Sequence, residues 1–355
     1  MRILFWLSLF IIAYHFFIYP LSLWLIAKFK YRRVKRESFF PSVTLIIPVY
    51  NEEKIIAEKI ENSLSLDYPK EKLEIIIASD GSTDNSNRII ANYLNRGINF
   101  ISYEKHMGKS ALINKTVPKA KGEIVVLSDA SGMLNKEAIK EVVKNFSDPQ
   151  VGCVYGVYHI WQGSNYDKFE KRYLNFDFYL KKLESKIYTT LGASGSLYAI
   201  RKDLFLPLKE DTINDDFFIS AEISLKGLRT IYEDNAHIFD KINTDLKSEL
   251  RRRIRLTVGG WQQVFRLSRL FNPKRTFLAW QFFSHKFLRI MMPFCFLSLI
   301  LSSFFCYRIF FWFLIFLSCL SLMFLKSIFL TFLLGNLAGI VGTYKFFFKR
   351  GRLIW

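Results

Sequence analysis

Apolar residues in this chain of 355 residues are segregated rather than spread. Ile3 to Phe29 and the stretch from Phe287 onward are almost entirely apolar, whereas Ser38 to His285 alternates apolar runs with charged and turn-forming residues. A bilayer is crossed by about 20 apolar helical residues. The two ends are therefore expected to be membrane helices and the middle a globular body. Composition agrees: 51% hydrophobic with 36 Phe is too apolar for an ordinary soluble domain, and 23% charged is too polar for a membrane bundle alone. The expected domains are an anchor with its basic flank over 1–37, a globular domain over 38–285 and a membrane domain over 286–355.

The run Ile3 to Phe29 exceeds the roughly 7–15 residues of a signal-peptide core and lacks a small-residue cleavage site, so it reads as a retained anchor. Lys28, Lys30, Arg32, Arg33, Lys35 and Arg36 follow it and only Arg2 precedes it. That bias puts its C-terminal end, and the globular block, on the cytoplasmic side of a cell inner membrane that the chain crosses several times. A second span is expected from Phe287 to Phe305 and a third from Ile309 to Leu325, with Arg308 and Lys326 at the turns. Ser327 to Phe348 reads as a fourth span or as a re-entrant path, since Gly335, Gly339 and Gly342 permit either. A full span would leave Lys345, Lys349, Arg350 and Arg352 outside, so the C-terminus is expected at the cytoplasmic face. The net charge of +19 lies largely beside these spans, with Arg251, Arg252, Arg253 and Arg255 forming the second cluster. It reads as contact with membrane lipids. No nucleic-acid reader motif accompanies it. The four cysteines show no zinc or disulfide spacing.

Within the globular block, Val43 to Pro48, Leu73 to Ala78, Asn99 to Tyr103 and Glu123 to Leu127 read as buried strands. Helical patterns lie between and after them: one begun by Asn51 and Glu52, with Ile55, Ile56, Ile60 and Leu64 on its apolar face, then Thr83 to Leu94, Ser110 to Val117 and Lys136 to Asn145. This alternation predicts an α/β fold, a mostly parallel sheet flanked by helices. Val151 to Tyr158 and a run ending at Ile200 add strands. Asn165 to Lys186 carries Tyr166, Phe169, Tyr173, Phe176 and Tyr179 near helical spacing; it fits a packed helix or a stacking platform for rings.

Two strands end in aspartate: Ser79-Asp80-Gly81-Ser82-Thr83-Asp84 and Ser128-Asp129-Ala130-Ser131. Carboxylates there face the ligand edge of an open α/β sheet. Asn214-Asp215-Asp216 supplies a third acidic point. Together they fit a diphosphate held through a divalent metal with a general base beside it, although Asn-Asp-Asp is also a helix N-cap signal. Lys109, at a helix start, fits a diphosphate contact or a solvated lysine.

Pro48-Val49-Tyr50-Asn51-Glu52, the Ser79 to Asp84 run, Gly108-Lys109-Ser110, Asp129-Ala130-Ser131 and Asp215-Asp216 occur in the order found in family 2 glycosyltransferases. With its membrane segments the chain resembles the membrane-bound branch, which includes cellulose, hyaluronan and poly-N-acetylglucosamine synthases. The resemblance implies a GT-A-like fold with one N-terminal and two to three C-terminal transmembrane or re-entrant helices. It implies that Pro48, Tyr50 and Glu52 cradle a nucleotide, that Asp80 bonds its base, and that Lys109 faces the diphosphate. Asp129 matches the first aspartate of a D-x-D metal element for Mg²⁺ or Mn²⁺, but Ser131 stands where the last aspartate would be. Asp216 aligns with the catalytic base and Asp215 with the acid before it. Gly195, in Gly192-Ala193-Ser194-Gly195-Ser196, fits a close ligand approach. The family's Q-x-x-R-W element is altered: Arg255 is kept, Arg252 replaces Gln and Leu256 replaces Trp, with Trp261 further on. Arg252 and Arg255 share a helix side and fit a diphosphate or an anionic lipid acceptor.

The expected function is inverting transfer of a sugar from a nucleotide donor, a UDP-sugar, to a polysaccharide or lipid-linked acceptor at the cytoplasmic membrane face, alone, as a homo-oligomer or with partner subunits. The competing expectation is a catalytically impaired, membrane-anchored nucleotide-sugar-binding or scaffold subunit of a polysaccharide synthesis complex, for which Ser131 and Leu256 argue.

Overall fold

The computed structural model describes residues 1–160, 167–240, 246–324 and 326–349; Tyr166, Leu325, Arg350 and Arg352, named above, lie outside them. The chain divides into two compact units. One comprises Met1–Phe29, Gly163–Leu180 and Asn243–Arg352, the other Lys30–Gln162, Lys181–Ile242 and Leu353–Trp355.

The second unit is built on β1 (Val43–Val49), β2 (Leu73–Asp80), β3 (Ile98–Tyr103), β4 (Ile124–Ser128), β5 (Gly132–Leu134), β6 (Val151–Ile160), β7 (Leu197–Arg201) and β8 (Arg229–Asp240). Among the described residues they form one sheet in the order β3-β2-β1-β4-β7-β6-β8-β5. The β3-β2-β1-β4 half is parallel, as is the β6–β8 pair, while β7 runs against β4 and β6 and β5 against β8. Every residue of β1 and β4 is buried, which is why both read as unbroken apolar runs. Pro48 is tolerated because β1 has passed its last β4 partner, Ile46, and pairs there only with Ala78 of β2.

Several local expectations are corrected. Asn51 and Glu52 do not begin the first helix, which runs Ile56–Leu64. Asn51 instead takes a left-handed φ of 56° and turns the chain toward the loop after β2. Two later helices are shorter than expected, Ser86–Ala91 and Ala138–Val143, and each gives way to a 3₁₀ turn. The sequence reading contained neither β5 nor β8. β5 has three residues, and β8 carries Glu233, Asp234 and Asn235 in mid-strand, which hides its apolar pattern.

Part of the basic flank after the anchor is occupied by this unit. Arg229, 1% exposed, donates to the carbonyls of Arg32, Arg33, Ser185 and Tyr188. Arg32 bonds Gln150 at 2.7 Å, and Arg36 pairs with the buried carboxylate of Glu233 at 3.3 Å. A buried guanidinium surrounded by carbonyls keeps its charge by hydrogen bonding. These contacts tie residues 32–36 to the sheet.

The other unit is largely helical and apolar. Arg2–Phe29, Pro273–Cys306 and Leu330–Phe348 are long and apolar enough to cross a membrane. The second begins well before Phe287. Arg308–Phe324 is a further apolar helix of 17 residues. The ambiguous C-terminal stretch is a single helix, Lys326–Phe348, and its glycines serve packing. A Cβ at Gly342 would lie 2.6 Å from the Thr257 side chain, and one at Gly339 would run into Pro293. Two π-helical turns, Tyr14–Ile18 and Phe282–Phe287, meet through Tyr14 Oη and Ser284 Oγ at 2.8 Å.

Candidate active site

The loops leaving β1 and β2 are laced together. Asn51 Oδ1 accepts from the Thr83 N–H at 2.8 Å, the Glu52 N–H reaches Ser86 Oγ at 2.8 Å, and the Glu53 N–H reaches Asp84 Oδ2 at 3.0 Å. The Asn85 N–H returns a bond to Glu53 Oε2 at 3.0 Å. Asn and Asp side chains bond nearby backbone readily, which is why this run of small polar residues makes one rigid rim. It fixes Tyr50, whose ring lies on His106 with centroids 3.9 Å apart and planes 21° apart.

Asp80 closes β2 with its side chain fully buried. Its carboxylate accepts the N–H groups of Met107 and Gly108, each at 2.8 Å, and lies 2.9 Å from His106 Nδ1. Asp80 therefore holds the segment 106–108 that leads to Lys109. Gly81, at φ +69°, allows that segment to approach, because a Cβ there would be 2.6 Å from the His106 nitrogen.

Lys109 opens the helix Lys109–Thr116, with Gly108 at φ 95° as its cap. Its ammonium is 2.7 Å from Asp129 Oδ1 and 3.6 Å from Asp215 Oδ1. Asp129 lies just past β4, its N–H bonded to the Ser196 carbonyl at 3.3 Å. Asp215 and Asp216 form the first turn of the helix Asp215–Leu225, so the cap signal and the acidic signal coincide, although Asn214 makes no side-chain cap bond. Asp215 accepts from the buried Tyr198 hydroxyl at 2.9 Å. Asp216 stays partly exposed beside Gly195, where an added Cβ would be 3.4 Å from Asp216 Oδ2.

Asp129, Asp215 and Asp216 gather about the Lys109 ammonium, and Lys181 also acts on Asp216. Burial opposes the Lys109 charge, but Asp129, Asp215 and Asp216 outweigh it and raise the lysine's pKa above its ordinary value. Burial, and next the charge of Asp215, push the Asp216 carboxyl up to about 6, against the pull of Lys109 and Lys181. Glu52 is also raised, first by burial and then by Asp129, Asp240 and Asp84.

A second cation supports the Asp129 turn from beneath. Lys59, fully buried on the helix Ile56–Leu64, donates to Ser128 Oγ at 2.8 Å and to the Gly132 carbonyl at 2.5 Å. Burial brings its pKa down to about 7, although Asp129 and Asp240 oppose that fall. Ser131, in the place of the missing aspartate, donates to Asp240 Oδ2 at 3.2 Å. Gly132 is paired with Asp240 in the β5–β8 register.

Pro48, Tyr50, Glu52, Asp80, Lys109, Asp129, Gly195, Asp215 and Asp216 thus belong to one compact unit, and Lys109 joins Asp129 to the Asp215–Asp216 turn. Arg252 and Arg255 belong to the other unit, on the helix Leu246–Arg266. Arg252 pairs with Glu249 of the same helix at 2.7 Å. Trp261 is buried there, its Nε1 donating to Thr343 at 2.9 Å and its ring against Phe346 and Phe347. It is packed and offers no open stacking floor.

His106, Lys59, Tyr198 and Asp240 escaped the sequence reading. Lys59 had a signal, a lone charge on the Ile56/Ile60 stripe of an amphipathic helix. Tyr198 and Asp240 had none, since only sheet pairing brings them to the site.

Residues 44–206 match the family model described as Glycosyl transferase family 2. The poly-beta-1,6-N-acetyl-D-glucosamine synthase of Staphylococcus aureus (strain COL) is 27% identical over 231 residues, 63% of this chain and 56% of that protein. The synthase of Staphylococcus epidermidis is 26% identical over 262 residues, 71% of this chain and 62% of that one. The chain thus spans little more than half the length of these curated relatives. Among solved structures, the mannosyltransferase PcManGT from Pyrobaculum calidifontis, in complex with GDP-Man and Mn²⁺, superposes with a TM-score of 0.81 at 21% identity, covering 98% of this chain and 100% of that one. At that identity the likeness speaks for the fold, and the fold is GT-A-like. Over residues 44–206, which carry most of the ordered motifs, the chain is thus similar to family 2 glycosyltransferases.

Proposed function

We propose that this protein transfers a sugar, with inversion, from a UDP-sugar to a saccharide or lipid-linked acceptor at the cytoplasmic face of a membrane. The transfer would be carried by the globular block of residues 38–285, which follows the anchor and precedes the C-terminal helices in sequence. The observation that carries the reading is the convergence of Asp129, Asp215 and Asp216 on Lys109, with Asp80 holding the segment from which Lys109 projects. The names of the synthase relatives favour a polysaccharide product.

In this reading Tyr50 and Asp80 face the nucleobase, and Lys109 and Asp129 face the diphosphate. Asp216 accepts the proton of the acceptor hydroxyl as that oxygen attacks the anomeric carbon and the sugar–phosphate bond breaks. A carboxyl raised to about 6 is well suited to that task, being ionised at neutral pH yet a stronger base than a surface aspartate. Burial first, and then the charge of Asp215, which is held by Tyr198, keep Asp216 raised. Arg255 is a candidate for steadying the leaving diphosphate or a lipid phosphate.

Among the described residues no group of three or more His, Cys, Asp or Glu is placed to hold a metal. Asp129, with Ser131 beside it, fits a cation that takes few protein ligands and completes its shell with diphosphate oxygens and water, as Mg²⁺ and Mn²⁺ do. When bound, such an ion would neutralise charge on the departing diphosphate.

Release of UDP from a panel of UDP-sugars, measured in detergent with membrane lipids, tests the reading. Turnover lost on Asp216→Asn with donor binding kept supports it. Nucleotide binding without turnover for any donor or acceptor would favour the scaffold alternative to which Ser131 and Leu256 point.

A further inference from the structure

One four-residue segment engages both halves of the candidate donor site. At its start, the His106 imidazole lies flat on Tyr50, 3.9 Å between centroids, and its Nδ1 is 2.9 Å from Asp80 Oδ2. At its end, the Lys109 ammonium is 2.7 Å from Asp129. A flat ring that stacks on a tyrosine and hydrogen-bonds a carboxylate makes the contacts a pyrimidine base would make with the same two residues. The resemblance is chemical: each presents a π face to Tyr50 and a ring nitrogen to the Asp80 carboxylate. Asp80 has no exposed side-chain surface while the segment is docked, so a base can reach it only if His106 and its neighbours yield. The docking surface is Gly81, and the junction to the helix is Gly108 at φ 95°, a conformation that glycine adopts without strain.

We propose that His106 is the protein's own occupant of the nucleobase subsite, displaced by the base of the donor, and that it sets the affinity and base selectivity of that subsite. The inference rests on the assignment of Tyr50 and Asp80 to the base made above. Displacement lowers apparent affinity by the fraction of molecules whose subsite is open. It also moves the backbone of 106–108, and with it the root of Lys109, so base arrival and freeing of Asp129 are coupled through three residues of chain. A five-membered ring marks out a small subsite, and its removal leaves room that a purine can exploit.

The experiment is isothermal titration of the full chain in detergent, at fixed Mg²⁺, with UDP and GDP. His106→Ala is expected to bind UDP about tenfold more tightly than the natural protein, as for removal of a competitor that closes some nine sites in ten. GDP should gain by a larger factor. His106→Gln, which keeps a donor near Asp80 but has no ring to stack, should shift both nucleotides the same way by less, and serves if the alanine variant folds poorly. Unchanged or weaker UDP binding in the folded variants overturns the inference, since His106 would then be neutral or part of the surface that holds the base. Failure of the natural protein and both variants to bind either nucleotide overturns the assignment of Tyr50 and Asp80 itself, and the inference with it.

Discussion

The rim formed by residues 50–53 and 82–86 and the pocket around Lys109 share one sheet edge, yet they are held by opposite means. In the rim, Asn51, Glu53, Asp84 and Ser86 each meet a partner at 2.8–3.0 Å, so the loops are rigid because their polar groups are matched. In the pocket, Asp129, Asp215 and Asp216 gather about the Lys109 ammonium; burial and the charge of Asp215 raise Asp216, and the carboxylates raise Lys109 against its burial. Matched polar groups hold a shape; unmatched ones hold reactivity. The difference fits a site in which one wall orients a donor and the other moves a proton.

The strongest way to break this contrast is Asp216→Asn. Turnover should fall about 10²–10⁴-fold, the usual contribution of a general base, with UDP affinity retained. In the natural protein kcat/KM should fall as pH drops through about 6, because the active form is the carboxylate. Stability runs the other way. A carboxyl raised in the folded state favours folding when protonated, so its ionisation destabilises as pH rises from about 4 past 6. Asp216→Asn should therefore raise the unfolding free energy at pH values above 7, by up to about 3 kcal/mol, and not at pH 4. Loss of activity with no stabilisation at pH 8 would count against an electrostatically loaded pocket.

Lys109→Met tests the same pocket from the cation side. Three carboxylates lose their counter-charge, and chemical denaturation at pH 7.5 should show a loss of about 3–5 kcal/mol, shrinking as acid neutralises the carboxylates. A loss under 1 kcal/mol would mean that water, not Lys109, balances the charge.

Lys59→Met separates positioning from stability. A buried ammonium lowered from 10.5 to about 7 is opposed by its surroundings, most fully below pH 7 and less as pH rises toward 10.5, so the gain in stability should be largest at pH 6, somewhat smaller at pH 8 and absent above pH 10.5. Donor KM should rise about tenfold, since Lys59 fixes both ends of the turn that carries Asp129, with kcat less affected. An unchanged KM removes Lys59 from the site. Smallest is the rim: Asn51→Ala should cost about 1–2 kcal/mol through its left-handed backbone, and Asn51→Gly clearly less. Equal costs for the two would show that the Asn51–Thr83 bond, not the backbone, holds the rim.

The parallel half of the sheet was legible because β1, β2 and β4 are buried on both faces and write themselves as apolar runs. β8 was not, since Glu233 and Asp234 interrupt it, and the burial of Glu233 is offset by Arg36, Lys144, Asn145 and the Asn235 N–H. The acidic points were legible because each sits where an element starts or ends. What they do to one another was not. The end of β2 marks Asp80 as a candidate ligand contact, but only the fold reveals that its carboxylate also holds Met107 and Gly108, the segment leading to Lys109. Arg252 shared a helix side with Arg255 in the sequence, yet Glu249, one turn back, engages it first.

Gly195 has a consequence for the geometry of attack. With only a hydrogen where other residues carry a side chain, it puts no side chain against the Asp216 carboxylate, which in the proposed transfer is where the acceptor hydroxyl meets its base. Even a methyl would stand 3.4 Å from the oxygen and act as an awning over it. In the proposed transfer, the smallest residue in the chain thereby bears on the direction from which the acceptor enters.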